Sequence, residues 1–147
     1  MSKALMLMHI VFATKYSQRV LPDAGAEPLY RFIWTLTKEN RCYLYRINSM
    51  SDHVHMLVNL NPDISLSDFV REIKAKSSQW IKKSGLYPRF DGWCRGYYAA
   101  SKSVEHRDKV VEYIKNQQSH HAVVNFDDEI RGLYKSCELE WHSDDMA

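Results

Sequence analysis

The sequence of 147 residues contains few cysteines, few glycines and prolines, no long apolar run and almost no net charge. Its three cysteines, Cys42, Cys94 and Cys137, include no C-x-x-C pair, which excludes a zinc ribbon or a redox dithiol and predicts reduced thiols. Five glycines and four prolines exclude collagen-like and low-complexity chains, and 12% aromatic residues argue against disorder. We therefore expect one compact domain whose core needs neither disulfides nor a structural metal.

The sequence also lacks the features of membrane and exported proteins. No apolar run approaches the ~18 to 20 residues that span a bilayer. Residues 1–8 lack the basic start, the long apolar stretch and the cleavage site of a signal peptide. We expect a cytoplasmic protein without a membrane partner.

The net charge of +2 averages two unlike segments. Residues 1–117 carry 18 basic and 11 acidic side chains, a net +7, whereas residues 118–147 carry 2 and 7, a net −5. Basic residues interleaved with aromatic rings suit single-stranded nucleic acid, since phosphates need cations and unstacked bases need a flat partner. The alternative is a solvated helix face beside an aromatic core. The candidate nucleic-acid contacts, all within residues 1–117, are Arg71, Lys74, Lys76, Arg95 and Tyr97.

Hydrophobic periodicity predicts the order strand, helix, strand, strand, helix, strand, helix. The predicted elements are a buried strand at 5–14, a helix at 29–40, a hairpin of strands at 42–50 and 53–60, a helix at 66–83 after the cap Ser65, a strand at 97–101 and a helix from the cap Ser103 to about His121. In the second strand, alternation places Tyr43, Tyr45 and Ile47 on one face and Leu44, Arg46 and Asn48 on the other.

This order predicts an α+β fold, a ferredoxin-like βαββαβ antiparallel sheet with helices on one side and an added C-terminal helix. The first and third strands lie side by side at the centre of such a sheet. We expect residues 1–124 to form the main domain. Residues 125–147 are then an acidic C-terminal extension with a short amphipathic helix at 127–136 and a loose end.

Two histidines, His53 and His55, stand two residues apart on the predicted third strand. A strand directs residues i and i+2 to the same face, so both imidazoles are able to reach one ion. Two histidines on a solvent-exposed face would show the same spacing. Because Val54, Met56 and Val58 place the opposite face in a core, the strand would hold the pair rigidly.

Tyr113 and Gln117 stand four residues apart on the last predicted helix, which makes their side chains neighbours. A tyrosine at the edge of a core and a solvated glutamine would have the same spacing. Together with the histidine pair they form a chemical unit: two imidazoles and an amide oxygen can bind a divalent cation, and a phenol beside it can attack phosphorus. Of the other histidines, His9 and His120 are candidates to support this unit, while His106, His121 and His142 are expected at the surface.

The strings SDHVHMLV and EYIKNQ resemble the HUH motif and the nucleophile helix of the HUH-type single-tyrosine transposases, the TnpA type of small bacterial insertion sequences, and of their REP-associated relatives. The resemblance continues in HIVFATKY, IKAKSSQWI and GWCRGYY, which stand in the same order along the chain.

What this resemblance implies is a site in which His53, His55 and Gln117 hold Mg²⁺ or Mn²⁺ and Tyr113 cleaves single-stranded DNA. The products would be a 5′-phosphotyrosine link and a free 3′-OH. It further implies recognition of DNA hairpins, a homodimer joined at the sheet edge and a DNA contact at Lys15, the basic residue after the first strand.

Two other functions remain open at this point. A catalytically silent ferredoxin-like module would bind single-stranded nucleic acid through its cations and aromatic rings alone, and would not need Tyr113 in register with Gln117. A metallohydrolase that uses an activated water would leave Tyr113 without a role.

Overall fold

The apolar run near the N-terminus forms the central strand of a four-stranded antiparallel sheet. The computed structural model describes residues 3–146, so parts of the predicted segment 1–8 and of the acidic end lie outside the described residues. The strands are β1 (Leu7–Ala13), β2 (Tyr43–Ser49), β3 (His53–Asn59) and β4 (Tyr98–Lys102), and the α-helices are α1 (Glu27–Glu39), α2 (Leu66–Ser84), α3 (Arg107–Lys115), α4 (Gln117–His120) and α5 (Phe126–Ser136).

The strand order is β2-β3-β1-β4, and each neighbouring pair is antiparallel. The central β1 and β3 are buried because helices cover both faces of the sheet. Helices α1 and α2 lie on one face, and α3 and α5 lie on the other. The predicted ferredoxin-like α+β plan is confirmed, including the pairing of the first and third strands.

Side chains of β3 alternate between these two faces, as period-2 geometry requires. Val54, Met56 and Val58 belong to the larger core beneath α1 and α2. Leu57 packs on the other side with Leu7 and Ile114 of α3. The histidines at 53 and 55 share the face of Leu57, so this alternation delivers both imidazoles to the side of the sheet that carries α3 and α5.

The predicted alternation of β2 is wrong for part of the strand. Its register against β3 shifts between Leu44 and Arg46, which is the signature of a β-bulge. Leu44 and Ile47 therefore both face the core of α1 and α2, while Tyr45 packs with the group around Ile114. An inserted residue reverses the facing of everything beyond it, which simple alternation cannot anticipate.

Helix α2 has the ends that its sequence predicts. The Ser65 hydroxyl accepts the Asp68 backbone N–H at 3.0 Å, and the chain leaves the helix through Gly85 in the left-handed region at φ 70°.

The predicted helix from Ser103 to His121 is interrupted. A short 3-10 turn, Val104–His106, precedes α3, and the Ser103 hydroxyl bonds the His106 ring rather than capping the backbone. The helix is interrupted again at Asn116, which separates α3 from α4. Tyr113 and Gln117 thus lie on two helices instead of one.

The acidic C-terminal extension packs on the body of the molecule. Phe126, Ile130, Tyr134 and Met146 form a hydrophobic cluster with Val11 and Ala13 of β1 and with Cys94 and Tyr98. The expectation of a loose end is wrong for Met146, whose side chain is buried. Gly96 lies directly under the Asp145 carbonyl, where a Cβ atom would collide with it. Among residues 3–146, no helix is both long and apolar enough to cross a membrane.

Candidate active site

His53 and His55 form the floor of a buried polar centre. Both imidazoles are completely buried, and their ring centroids lie 5.1 Å apart. The sheet positions them: His53 pairs with Ala13 and His55 with Val11 of β1, so their backbones are fixed in the ladder. The Nε2 atom of each ring points into the centre, because the Nδ1 atoms are occupied elsewhere.

Two further residues hold the imidazoles in place. Nδ1 of His53 lies 2.7 Å from Oδ1 of Asp52, a carboxylate that accepts hydrogen bonds only. Nδ1 of His55 lies 2.9 Å from Nε2 of His9 on β1. Partners of this kind fix ring orientation and increase the basicity of the opposite nitrogen. His9 is therefore a supporting residue of the pair.

Tyr113 and Gln117 face the histidines from α3 and α4. Gln117 is completely buried, and its Oε1 lies 3.4 Å from Nε2 of His53. The Tyr113 ring lies edge-on to His55 with 5.7 Å between centroids. The neighbouring Ile114, fully buried against the sheet, anchors the helix that carries the tyrosine. One chain thus brings all four predicted site residues together.

A polar network fixes the break between α3 and α4. The side-chain amide of Asn48 on β2 donates to the Ile114 carbonyl at 2.8 Å and to Oε1 of Gln118 at 2.8 Å. In return, Nε2 of Gln118 donates to Oδ1 of Asn48 at 3.0 Å and to the Ser49 carbonyl at 3.1 Å. These bonds satisfy backbone and amide groups that the helix break exposes, so the turn between Tyr113 and Gln117 is held to the sheet.

Glu129 of α5 lies in the middle of this centre, and sequence reasoning did not identify it. Its Oε1 lies 2.8 Å from Nε2 of His121, 3.2 Å from Nε2 of His55 and 3.4 Å from Nε2 of His53. Its Oε2 accepts hydrogen bonds from the Tyr113 hydroxyl and, at 3.1 Å, from Nε2 of Gln117. The surface location expected for His121 is wrong, since only 7% of its side chain is exposed.

The sequence did contain signals for both residues. His121 continues the series of Tyr113 and Gln117 at i+4 and i+8, although the helix break interrupts the register. Glu129 falls within the apolar stripe of α5, three residues after Phe126 and one before Ile130. A carboxylate on the buried side of an amphipathic helix has to meet a partner, because an unpaired buried charge is costly.

His120 also faces the centre. Its Nε2 lies 3.4 Å from Oε2 of Glu129, and its ring lies 5.5 Å from that of Tyr113. His106 and His142 are exposed, as expected.

Burial and hydrogen bonding set the protonation of the centre. Burial lowers the pKa of His55 to about 4, although the Glu129 carboxylate opposes this shift. Burial also disfavours a charged His53, but hydrogen bonds to Asp52 and Glu129 outweigh it and raise the pKa of that imidazole. Burial and the bond to Glu129 raise the pKa of Tyr113, so the phenol stays protonated in this arrangement.

The pKa of Glu129 moves in the opposite direction. Burial alone would raise it, but hydrogen bonds from His121, His53 and His55 hold the pKa of the carboxyl well below its usual range. This shift favours the ionised carboxylate beside the imidazoles.

The donor set fits a divalent metal ion. Ligand atoms of His53, His55, His121 and Glu129 all lie within 4.8 Å of one another, and Oε1 of Gln117 adjoins them. Nitrogen and carboxylate donors are the usual protein ligands of divalent transition metals. A buried His-rich cluster able to bind such an ion is thus present.

The cations predicted on α2 lie apart from this centre. Arg71 and Lys76 are exposed and form ion pairs with Asp68 and Glu72 on the same helix. Because α2 packs on the opposite face of the sheet, the sheet separates these side chains from His53. Their contact with DNA stays a prediction.

Lys74 has a structural environment that the sequence did not reveal. Its ammonium donates to the carbonyls of Cys94, Arg95 and Gly96 at 2.9, 3.2 and 2.7 Å. It also lies 5.7 Å from the centre of the Tyr97 ring, which packs against the core. Burial lowers the pKa of this lysine. These hydrogen bonds hold residues 94–96, which lead into β4, against α2.

The remaining two cations, Lys15 and Arg95, lie at the surface. Lys15, just after β1, is 45% exposed and lies 3.8 Å from a carboxylate oxygen of Asp91. Arg95 is exposed beside the edge strand β4.

The chain is similar in sequence to one family of known proteins. The family model described as "Transposase IS200 like" matches residues 2–117, a segment that includes His53, His55, Tyr113 and Gln117 and ends before His121 and Glu129. The transposase for insertion sequence element IS200 of Salmonella typhimurium is 30% identical over 114 residues, which is 74% of either chain. The ISDra2 transposase TnpA of Deinococcus radiodurans is 25% identical over 114 residues, 74% of this chain and 81% of that one.

Solved structures show the same fold. A crystal structure of a Deinococcus radiodurans protein described as a transposase superposes with a TM-score of 0.62 at 27% identity, covering 79% of this chain and 93% of that one. A REP-associated tyrosine transposase bound to a REP hairpin superposes with a TM-score of 0.58 at 18% identity, covering 84% and 76%. The chain therefore belongs to the IS200-like transposase family, which makes it a DNA-processing enzyme of the transposase class.

Proposed function

We propose that this transposase cleaves and rejoins single-stranded DNA through a covalent 5′-phosphotyrosine link at Tyr113. The observation that carries the proposal is the convergence, within one chain, of the Tyr113 hydroxyl, the Gln117 amide and the His53 and His55 imidazoles on one buried centre. A module that only binds nucleic acid needs none of these four groups in register.

The residues divide the chemistry among themselves. His53, His55 and Gln117 would hold a divalent ion, Mg²⁺ or Mn²⁺, which when bound supplies Lewis-acid polarisation of a phosphate oxygen. Asp52 and His9 keep the two imidazoles directed at that position. His53, His55 and Gln117 are completely buried, so water that competes with the phenol would be largely excluded from this position.

The transfer itself exchanges one phosphoester for another. The Tyr113 oxygen forms a bond to phosphorus and loses its proton, and the bond from phosphorus to the 3′ oxygen breaks, so this oxygen takes up a proton and becomes a free 3′-OH. Rejoining is the reverse step, in which a 3′-OH attacks the phosphotyrosine. Because the number of phosphoester bonds stays the same, no nucleotide hydrolysis is needed.

The substrate we propose is a DNA hairpin with a single-stranded flank. A fold neighbour was solved bound to a REP hairpin, which supports this choice of ligand class. We further propose a homodimer. The contacts of Tyr113 with the histidine pair form within one chain and do not themselves require the second subunit.

The test is a covalent adduct. The protein is incubated with end-labelled hairpin oligonucleotides carrying single-stranded flanks, with Mn²⁺ or EDTA, and separated on a denaturing gel. We expect an ion-dependent, protein-linked fragment that Tyr113→Phe abolishes. Tyr43→Phe is the matched control, because Tyr43 lies 62% exposed on the edge strand β2. No adduct with any hairpin, or an adduct that survives in Tyr113→Phe, would reject the nucleophile.

The two alternative functions give different results on the same gel. A binding module shifts the DNA in native gels and never cleaves it. A metallohydrolase cleaves without an adduct, and Tyr113→Phe leaves its cleavage intact. We expect His53→Ala to lose cleavage while keeping much of the DNA affinity, because contacts between cations and phosphates dominate binding.

A further inference from the structure

The centre contains more metal-ligand groups than the proposed reaction uses, and the additional ones lie beyond the segment that the transposase family model covers. That segment ends at residue 117, whereas His121 follows α4 and Glu129 lies on α5. Both nevertheless point into the same buried position as His53 and His55.

The separations of these atoms resemble those of ligands around one ion. Metal-to-ligand bonds of about 2.0 to 2.1 Å in a tetrahedron place neighbouring ligand atoms about 3.3 to 3.4 Å apart. Oε1 of Glu129 lies 3.2 Å from Nε2 of His55 and 3.4 Å from Nε2 of His53. Its 2.8 Å separation from Nε2 of His121 is shorter, and the widest pair, within 4.8 Å, requires small rotations.

The groups around Nε2 of His53 are compatible with a bound cation. A metal ligand has to be a neutral imidazole, and a neutral His53 uses its one N–H on Asp52, so its Nε2 then presents a lone pair to the centre. Without a metal, hydrogen bonds to Asp52 and Glu129 favour the protonated ring instead. Oε1 of Gln117 and Oε1 of Glu129 each lie 3.4 Å from that nitrogen, and both are acceptors. The Gln117 amide is oriented by its Nε2, which donates to Oε2 of Glu129. Three lone pairs that meet at one point suit a bound cation.

From this geometry we infer that α5 completes a nitrogen-rich transition-metal site of His53, His55, His121 and Glu129, which takes Zn²⁺ or Co²⁺ in strong preference to Mg²⁺. Imidazole suits these ions, whereas Mg²⁺ requires octahedral oxygen ligands and retains several waters. The single carboxylate adds the negative charge that an amide ligand lacks. This inference shares the metal centre of the proposed function but concerns the DNA-free protein. Four protein ligands leave no position for a phosphate oxygen, so His121 or Glu129 would have to leave the ion when the substrate binds.

The preference can be measured without DNA. Full-length protein stripped with EDTA is titrated with Co²⁺ and followed by visible absorption, since four-coordinate Co²⁺ absorbs far more strongly than octahedral Co²⁺. We expect one strongly absorbing ion per chain, displaced by equimolar Zn²⁺ and retained in a thousandfold excess of Mg²⁺. Displacement by Mg²⁺ at concentrations that suffice for Zn²⁺, or no bound ion, would overturn the inference.

Variants test the contribution of α5. Glu129→Gln keeps the size of the side chain and should lower Co²⁺ affinity at least tenfold with weaker absorption. His121→Asn should also lower the Co²⁺ affinity. Its position is less enclosed, so it serves as the second variant if Glu129→Gln misfolds. Asp128→Asn removes the same charge from an exposed neighbour on α5 and should bind like the wild type. Wild-type affinity in folded Glu129→Gln or His121→Asn would reject Glu129 or His121, respectively, as a ligand.

The adduct gel keeps this inference apart from the proposed reaction. A protein that binds Co²⁺ as described but never forms an adduct would support the α5 site and reject the phosphotyrosine reaction. A protein that forms the adduct but does not bind Co²⁺ as described would support the phosphotyrosine reaction and reject the α5 site.

Discussion

Replacing Lys74 by methionine should lower the thermal stability of the protein without changing its contacts with DNA phosphates. The lysine ammonium donates to three successive carbonyls, those of Cys94, Arg95 and Gly96, at 2.7 to 3.2 Å. Methionine keeps most of the aliphatic length of the side chain, so its packing against Tyr97 is largely retained. The change therefore isolates the three hydrogen bonds.

The expected loss follows from the strength of such bonds. A hydrogen bond with a charged partner contributes about 1.5 to 3 kcal/mol when it is well desolvated. Lys74 is partly buried, so water replaces some of what is lost, and we expect about 2 to 3 kcal/mol for the three bonds together. For a chain of this length that corresponds to a melting temperature lower by about 5 to 10 °C.

The assay is thermal unfolding followed by tryptophan fluorescence and circular dichroism, with Lys76→Met as the matched control. Trp93 is one of the four tryptophans that report on unfolding, and its indole N–H donates to the Ser77 hydroxyl on α2. Lys76 is exposed on the same helix, so its variant should melt like the wild type. Binding to an oligothymidylate is then measured against salt, where loss of a phosphate contact reduces the slope. An unchanged melting temperature with a reduced slope for Lys74→Met would refute the reasoning.

Three other changes probe the centre and the C-terminal segment. Asp52→Asn removes the charge that orients His53 and should weaken Co²⁺ or Mn²⁺ binding by roughly 10- to 100-fold in calorimetric titrations, the usual cost of losing such a partner; unchanged affinity would deny the aspartate this role. In EDTA, burial holds the pKa of His55 at about 4, below the 6.5 of an unfolded chain, so the unfolded chain takes up the proton first. The free energy of unfolding should therefore fall as the pH is lowered from 6.5 to about 4, and His55 should contribute at most about 1.4 kcal/mol per pH unit to this fall. In denaturant melts, His55→Gln should lose this contribution. An equal pH dependence in the variant and the wild type would contradict the assignment. Gly96→Ala places a methyl group against the Asp145 carbonyl and should release the C-terminal segment, seen as faster proteolysis there with a nearly unchanged core; wild-type proteolysis would show that this contact is unimportant.

Much of the fold could be predicted because it depends on local periodicity. The apolar run of β1, the i and i+2 histidines of β3 and the capped helix α2 each follow from patterns within a few residues. Local periodicity does not predict the bulge in β2 or the helix break at Asn116. The break is bonded to the sheet by Asn48, which lies 66 residues before the Ile114 carbonyl that accepts its hydrogen bond.

The residues of the centre also divide into those that local spacing predicts and those that it does not. His53 and His55 were identified by spacing on one strand, and Tyr113 with Gln117 by spacing near one helix turn. Glu129 lies 74 residues after His55 and reaches it only because the apolar stripe of α5 docks on β1 and β4. No spacing rule joins two elements whose relative position is set by tertiary packing. Lys74 is the opposite case, since a lysine that looks solvated in sequence is held by three carbonyls.

The placement of the cations also constrains how DNA is able to reach Tyr113. Arg71 and Lys76 lie on the α2 face of the sheet, and the tyrosine lies on the other face. A strand that contacts both must pass around an edge, and β4 is the edge beside which Arg95 is exposed. Duplex DNA has a persistence length of about 50 nm and does not fold around the edge of a single domain, whereas a single strand does. If α2 binds the stem of a hairpin, only its unpaired flank is able to follow this path. Arg95→Ala should then impair cleavage of the flank more than binding of the stem, and an equal loss of both would show that DNA takes another path.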